Sequence, residues 1–339
     1  MKKKLLPILI SLFIVSCKHQ TTDTCFSENN NTYIPANIET IHPTGKLIID
    51  SLIGIGNIEV VNKHLCLFTS SNDSLFSIYN FDGEFLTAFG KRGQGPSDFT
   101  STRMNGNKGI ENGQEFLWIN DVNSSSLKRL NLTQSVEKCL CVVDSIIPIL
   151  PMSINAFLTK EGNVVQEVMT PNNFELVTKK GDDIHKENIY KKDTPHPFSM
   201  YKSTMRMDTD SQLLFFSMVA ANQINIMDLS CGKRSSICIG EYTDVEEIID
   251  KDTNTEKWVY YVDLRVTPNY IFALYMNQNY QDSYAKEKPV EIHLFNKKGI
   301  PLKIIQLNEY IKNICITEDE MTIFGLNNDH SIYKYELTL

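Results

Sequence analysis

The sequence is poor in the features that announce a reaction centre. Its eight cysteines contain no CxxC pair, so neither a zinc knuckle nor a redox dithiol can be read from their spacing. The histidines, His19, His42, His64, His185, His196, His293 and His330, form no HxH, HExxH or HxxxH pattern, which removes the local signatures of zinc sites. There is no GxSxG nucleophile elbow and no Gly-Lys-Ser/Thr phosphate loop. Positive charge is also scarce: 33 Lys and Arg stand against 41 Asp and Glu, for a formal charge of −8. That balance argues against nucleic-acid binding, which needs clustered cations facing phosphates, and leaves no broad basic surface for anionic lipid. No long stretch carries a helical period; the best candidate is the short segment 244–250, with Val245, Ile248 and Ile249 at suitable offsets. Paired carboxylates for glycoside cleavage cannot be recognised from this sequence.

What is present begins at the N-terminus. Lys2, Lys3 and Lys4 precede an apolar run over residues 5–15, and Ser16-Cys17 follows. The run is too short for a permanent membrane span of about 20 residues. A positive start, a short apolar stretch, a small residue and then a cysteine describe a secretory leader of the lipoprotein type. Residues 1–16 are therefore read as a signal peptide and Cys17 as the lipidation site, with the mature chain held to a membrane through its N-terminal lipid. Removal of the three lysines takes the formal charge from −8 to −11. The polar stretch that follows suggests a flexible tether over residues 17–36. Excluding Cys17, the cysteines number seven, so at least one stays free or pairs between chains. Cys139 and Cys141 would share a strand face if extended, and Cys231 and Cys238 could bridge across a hairpin or simply be buried.

From residue 37 the texture is uniform. Short runs of Ile, Val, Phe, Tyr and Leu alternate with turn clusters every eight to twelve residues or so, the spacing of an all-β fold. A longer unit repeats above this: apolar strand, polar corner, alternating strand, turn, fourth strand. Its third strands begin near residues 74, 126, 173, 223, 289 and 331, about 50 residues apart, which fits four-stranded blades. A lone sheet of this kind has two apolar faces, so blades must pack radially into a ring. The predicted fold over residues 37–339 is a six-bladed β-propeller, closed by an N-terminal strand within residues 38–47 that completes the last blade.

The run Gly90-Lys91-Arg92-Gly93-Gln94-Gly95-Pro96-Ser97-Asp98-Phe99 resembles the GxxGxGPGEF signature of six-bladed propeller lipoproteins of Bacteroidetes, related to TolB-like and NHL-repeat propellers. Ser97 and Asp98 depart from the signature, where Gly and Glu are usual. The resemblance spans nearly the whole mature chain and implies the fold well and the function poorly. It also implies an outer-membrane lipoprotein. Lys18-His19-Gln20 lacks the acidic cluster of strongly surface-exported members, so the periplasmic face is preferred over the cell surface.

In such a ring, inter-blade links and second-to-third-strand corners share a rim. Lys91, Arg92 and Arg103 are thus expected to bring positive charge near the channel mouth, with Asp121 at the end of its strand. Two readings stand: a shallow pocket for an anionic or sugar-like ligand, or a glycine turn with Asp121 capping backbone amides. The corner 276–289 carries Tyr280 and Tyr284, which suit sugar or peptide contact or are surface elaboration. Asp250, Asp252, Asn254 and Glu256 alternate like a calcium loop, but Thr255 and Tyr261 stand where Gly and Glu are needed. No cofactor or metal ligand is assigned. The leading expectation is a binding or scaffolding platform for an envelope protein or glycan. The competing one, implied by related propellers, is a metal-dependent lactonase- or lyase-like enzyme with a channel-centred site.

Overall fold

A computed structural model describes residues 24–70, 74–243, 245, 257–282 and 288–339. Cys17, Tyr284, nearly all of the helical candidate 244–250 and most of the calcium-like loop lie outside the described residues. The described residues form six sheets, each built on four antiparallel strands and arranged as the blades of a ring. Blade 1 runs Ile55–Val61, His64–Thr69, Phe76–Tyr79, Phe85–Phe89. Blade 2 runs Thr102–Glu111, Gln114–Asp121, Ser126–Asn131, Val143–Pro148. Blade 3 runs Ser153–Leu158, Val164–Met169, Phe174–Lys180, Asp183–Asn188. Blade 4 runs Ser203–Asp208, Leu213–Met218, Ile224–Asp228, Arg234–Ile239. Blade 5 runs Trp258–Val266, Tyr270–Asn279, Glu291–Asn296, Pro301–Gln306. Blade 6 contributes Ile311–Ile316, Thr322–Asn327 and Ile332–Glu336. The third strands start within two residues of the positions expected from the repeat.

Both faces of these sheets are apolar because they pack on neighbours. Among the described residues, the buried apolar side chains fall into six clusters, one at each interface between successive blades. The interface between blades 3 and 4, for example, joins Phe157, Val165 and Leu176 to Leu214, Phe216 and Met227.

The N-terminal region is more fully used than expected. Ring closure is made by Lys46–Ile49, which pairs antiparallel with Ile332–Glu336 and supplies the fourth strand of blade 6. This corrects the span 38–47, of which only the last two residues belong to the closing strand. Within that span Glu39–Ile41 instead adds a parallel fifth strand to blade 5. The expected tether over residues 17–36 is corrected as well, for the part that is described. Asn30–Tyr33 pairs in parallel with Arg234–Ile239 as a fifth strand of blade 4. Before it, Phe26 is fully buried against Tyr190 and Phe216, under the Arg234 guanidinium. The polar look of residues 24–33 misled because Thr24 and Ser27 spend their hydroxyls on blade 4, Thr24 Oγ1 with Ser236 Oγ at 3.1 Å and Ser27 Oγ donating to the Arg234 carbonyl at 3.0 Å.

Other corrections are local. A helix not foreseen, Leu132–Lys138, links the third and fourth strands of blade 2, capped by Asn131 accepting from the Gln134 amide at 3.0 Å. Cys139 ends it with φ 50°, so Cys139 and Cys141 do not share a strand. Cys231 is exposed and Cys238 buried, and neither is in a disulfide. The second strand of blade 5 continues to Asn279, shortening the corner expected from residue 276. Among the described residues no helix is long and apolar enough to cross a membrane.

Candidate functional site: the channel mouth

The innermost strand of every blade faces the ring axis, and alternate residues point into it. At the rim that carries the inter-blade links, all six inner strands contribute to one cavity of about 290 Å³. Its wall includes Asn57, Arg103, Asn155, Arg206, Asp263 and Asn313, one from each blade in order. Deeper along the axis a smaller space is lined by Glu59, Asn105, Lys108, Arg206 and Arg265.

These polar groups are held in a buried network. Glu59 accepts from Arg265 Nη1 at 2.7 Å and from Lys108 Nζ at 2.8 Å. Burial alone would push the Glu59 carboxyl up; the Lys108 and Arg265 charges outweigh it and hold it at about 2. Asp263 lies 3.1 Å from Arg265 and 3.4 Å from Arg206, and it accepts from Asn313 Nδ2 at 2.7 Å. Arg265 also donates to Asn57 Oδ1 at 3.2 Å and to the Ile58 carbonyl at 3.1 Å. Blades 1, 2, 4, 5 and 6 are thereby tied together at the axis.

The network is unbalanced toward positive charge. Four cations, Arg103, Lys108, Arg206 and Arg265, meet two fully buried carboxylates, Glu59 and Asp263. A third, Glu167, sits behind Asn155, which donates to it at 2.5 Å. Burial pushes the Glu167 carboxyl up to about 7, although Asn155 and Arg103 pull the other way. Arg206 is strained electrostatically: burial and the neighbouring Arg265 lower its guanidinium to about 10 against the pull of Asp263 and Glu59. Its Nε is buried without a hydrogen-bond partner. Arg103 is exposed at the cavity edge and, among the described residues, forms no ion pair.

The sequence-expected residues divide. Arg103 lines the mouth. Arg92 lines an adjoining cavity of about 300 Å³ that shares Phe68 and Thr102 with it. There it donates to the carbonyls of Ser70 (3.0 Å) and Thr100 (3.4 Å). Lys91 projects into solvent 3.9 Å from Asp98 and lines neither space. Asp121 is fully buried, which corrects its placement at a ligand-facing rim. It accepts from the Thr100 hydroxyl (2.6 Å), the Ser101 amide (2.7 Å) and Lys128 Nζ (3.0 Å). Burial opposes its ionisation, but those donors hold it at about 2. Tyr280 is partly exposed just beyond the second strand of blade 5 and lines neither space.

The glycine-rich loop is a latch. The Asp98 carboxylate accepts from the Gly95 amide at 3.1 Å. A Cβ at Gly95 would come within 2.8 Å of that carboxylate, and one at Gly93 closer still, so a side chain at either position would have to push the Asp98 carboxylate aside. Phe99 is fully buried edge-on against Phe76 (5.3 Å), and Lys128 lies over its ring while bonding the Asp98 carbonyl at 2.5 Å.

Sequence reasoning missed Glu59, Lys108, Arg206, Asp263 and Arg265. For all but Lys108, which stands between Asn107 and Gly109, the signal was a charge inside an apolar strand, as in Ile58-Glu59-Val60 and Met205-Arg206-Met207, at the first strand of a repeat. Among the described residues no group of three or more His, Cys, Asp and Glu is placed to hold a metal ion.

The family model of the TolB-like 6-blade propeller-like proteins matches residues 56–319, and the chain belongs to that family. No curated protein matches it in sequence. Among solved structures it is similar to a member of the DUF4221 family from Bacteroides vulgatus, with TM-score 0.57 at 9% identity, covering 88% of this chain and 95% of the other. A candidate exported protein of Bacteroides fragilis gives TM-score 0.55 at 12% identity, covering 92% of this chain and all of the other. At these identities the likeness concerns the fold.

Proposed function

We propose that this protein is an exported, lipid-anchored propeller that binds an anionic group of an envelope protein or glycan at its channel mouth. The observation that carries the reading is the excess of guanidinium and ammonium groups around the axis of a molecule with formal charge −8. Arg103, unpaired at the cavity edge, and the unpartnered Nε of Arg206 are the donors a carboxylate, sulfate or phosphate would engage. The rigid ring holds them in place before binding, which lowers the ordering cost.

Export and anchoring are supported by the leader-like start, by Ser16-Cys17, and by the name of the Bacteroides fragilis protein of similar fold. Thr24 is the first described residue, and its hydroxyl lies 3.1 Å from Ser236 Oγ on the fourth strand of blade 4. From Cys17 to Thr24 an extended chain reaches at most about 25 Å. A lipid on Cys17 would therefore keep the ring close to the membrane, with the outer edge of blade 4 as its point of attachment.

The test is calorimetric titration of the mature protein with uronic-acid and sulfated oligosaccharides, beside neutral glucans, at low and high salt. Binding confined to the acidic ligands, weakened by salt and by Arg103→Gln, supports the reading. Equal binding of neutral glucans, or binding indifferent to Arg103→Gln, rejects it.

A further inference from the structure

A second cavity, of about 500 Å³, opens between blades 4 and 5 and shares no residue with the channel mouth. Its volume falls within the range of small-molecule sites, roughly 300–1,000 Å³. One wall is the face of blade 5, where Tyr260, Tyr275, His293 and Ile304 come from four successive strands. The opposite wall is the chain leaving blade 4, with Glu241 and Tyr242, backed by Asn222.

The chemistry of this lining is one-sided. Among the described residues no Lys or Arg lines the cavity. Glu241 and Glu291 both do, and among the described residues neither forms an ion pair with Lys or Arg. His293 stands beside Glu291, Nε2 to Oε2 3.5 Å, and its Nδ1 lies 3.0 Å from the Tyr261 hydroxyl; burial pushes its imidazole toward the neutral form, against the pull of Glu291. Asn222 donates through Nδ2 to the Ile239 carbonyl at 2.6 Å, which leaves its Oδ1 buried without a partner. The rings of Tyr260 and Tyr275 lie nearly parallel, 6.3 Å apart, and Tyr275 packs on His293 at 4.3 Å, so the aromatic wall is fixed. Electron-rich ring faces, two carboxylates and an unused carbonyl oxygen, without a competing Lys or Arg among the described residues, favour a positively charged guest over an anion or a neutral sugar.

We propose that the cavity between blades 4 and 5 binds a small organic cation bearing an ammonium group. The faces of Tyr260 and Tyr275 lie against the ammonium, and Glu241 and Glu291 balance its charge. The site is independent of the channel mouth and of the reading given to it.

The experiment is calorimetric titration of the mature protein with choline and with its uncharged isostere 3,3-dimethyl-1-butanol, with glucose as a third probe. Saturable choline binding is expected, about tenfold or more tighter than the isostere. Tyr275→Leu and Glu291→Gln should each weaken it, while Arg103→Gln should not. Glu291 is partly exposed, so Glu291→Gln reports on charge even if Tyr275→Leu disturbs the blade. Equal affinity for choline and the isostere, preference for glucose, no saturable choline binding, or choline binding unchanged in Glu291→Gln would each overturn the proposal.

Discussion

Arg265 Nη1 lies 2.7 Å from Glu59 Oε2, so a guanidinium on the inner strand of blade 5 is bonded to a carboxylate on the inner strand of blade 1. Both side chains are about 95% buried or more. A buried pair of this kind is not a large net source of stability, since both charges lose their water. Losing one partner is a different matter, because the other is stranded. Arg265→Met is expected to cost about 3–5 kcal/mol, read as a lower midpoint in denaturant. The double variant Glu59→Gln, Arg265→Met should lose clearly less than the sum of its parts. Strictly additive losses would show that the two residues do not act as a pair.

The latch over residues 90–99 depends on Asp121 and Lys128. Asp121→Asn keeps the shape but removes the charge that Lys128, Thr100 and Ser101 converge upon. A loss of about 1–3 kcal/mol is expected, together with faster proteolytic cleavage within the loop. Cleavage at the wild-type rate would mean that the glycine-rich loop is held by Phe99 alone.

Glu167 gives stability a pH dependence of unusual sign for a carboxylate. Its folded value is raised from 4.5 to about 7, so the fold favours the protonated form. That contribution is fully present below about pH 4.5 and is lost as pH rises through about 7. At 1.36 kcal/mol per unit the loss is about 3 kcal/mol. Glu167→Gln should therefore be more stable than wild type at pH 8 and no more stable at pH 4, in matched urea titrations. Glu59 acts oppositely: held at about 2, it supplies stability above pH 4.5 that fades as pH falls toward 2. A pH-independent gap between Glu167→Gln and wild type would show that folding does not shift the Glu167 carboxyl.

Ring closure and the N-terminal strap can be separated. Ile49 is buried at the interface of blades 6 and 1, and Ile49→Asp should weaken the whole ring. Phe26→Ala removes a fully buried ring between blades 3 and 4 and should cost about 3–5 kcal/mol. No change in Tm for Phe26→Ala would restore the free tether that the polar sequence suggested. Cys17→Ala should abolish lipid labelling and leave a soluble exported protein; persistent membrane attachment would contradict the anchor.

The fold was legible because a propeller repeats its signal. Leu65-Cys66-Leu67-Phe68 and Phe116-Leu117-Trp118-Ile119 mark equivalent strands, and six such units set the blade count. The helix Leu132–Lys138 was not legible, since seven residues hold too few turns to display a period. The strap was hidden by its polar residues, of which Thr24 and Ser27 bond blade 4 rather than water. The channel network escaped for a geometric reason. Glu59, Arg206 and Arg265 are far apart in sequence and meet only because each sits at the inner strand of a different blade. Arg103 and Arg92, which lie in or near a recognisable loop, line the two adjoining cavities. Lys91 and Asp121 flank it too, yet one points to solvent and the other into the latch. Loop membership alone does not say where a side chain points.

The central claim is that positive charge at the channel mouth receives an anionic group. The most direct measurement is the affinity of wild type and Arg103→Gln for one acidic oligosaccharide across a range of salt concentrations. The account predicts tighter binding at low salt, a shallower salt dependence in Arg103→Gln, and affinity reduced about tenfold or more. Affinity independent of both salt and Arg103 would contradict it.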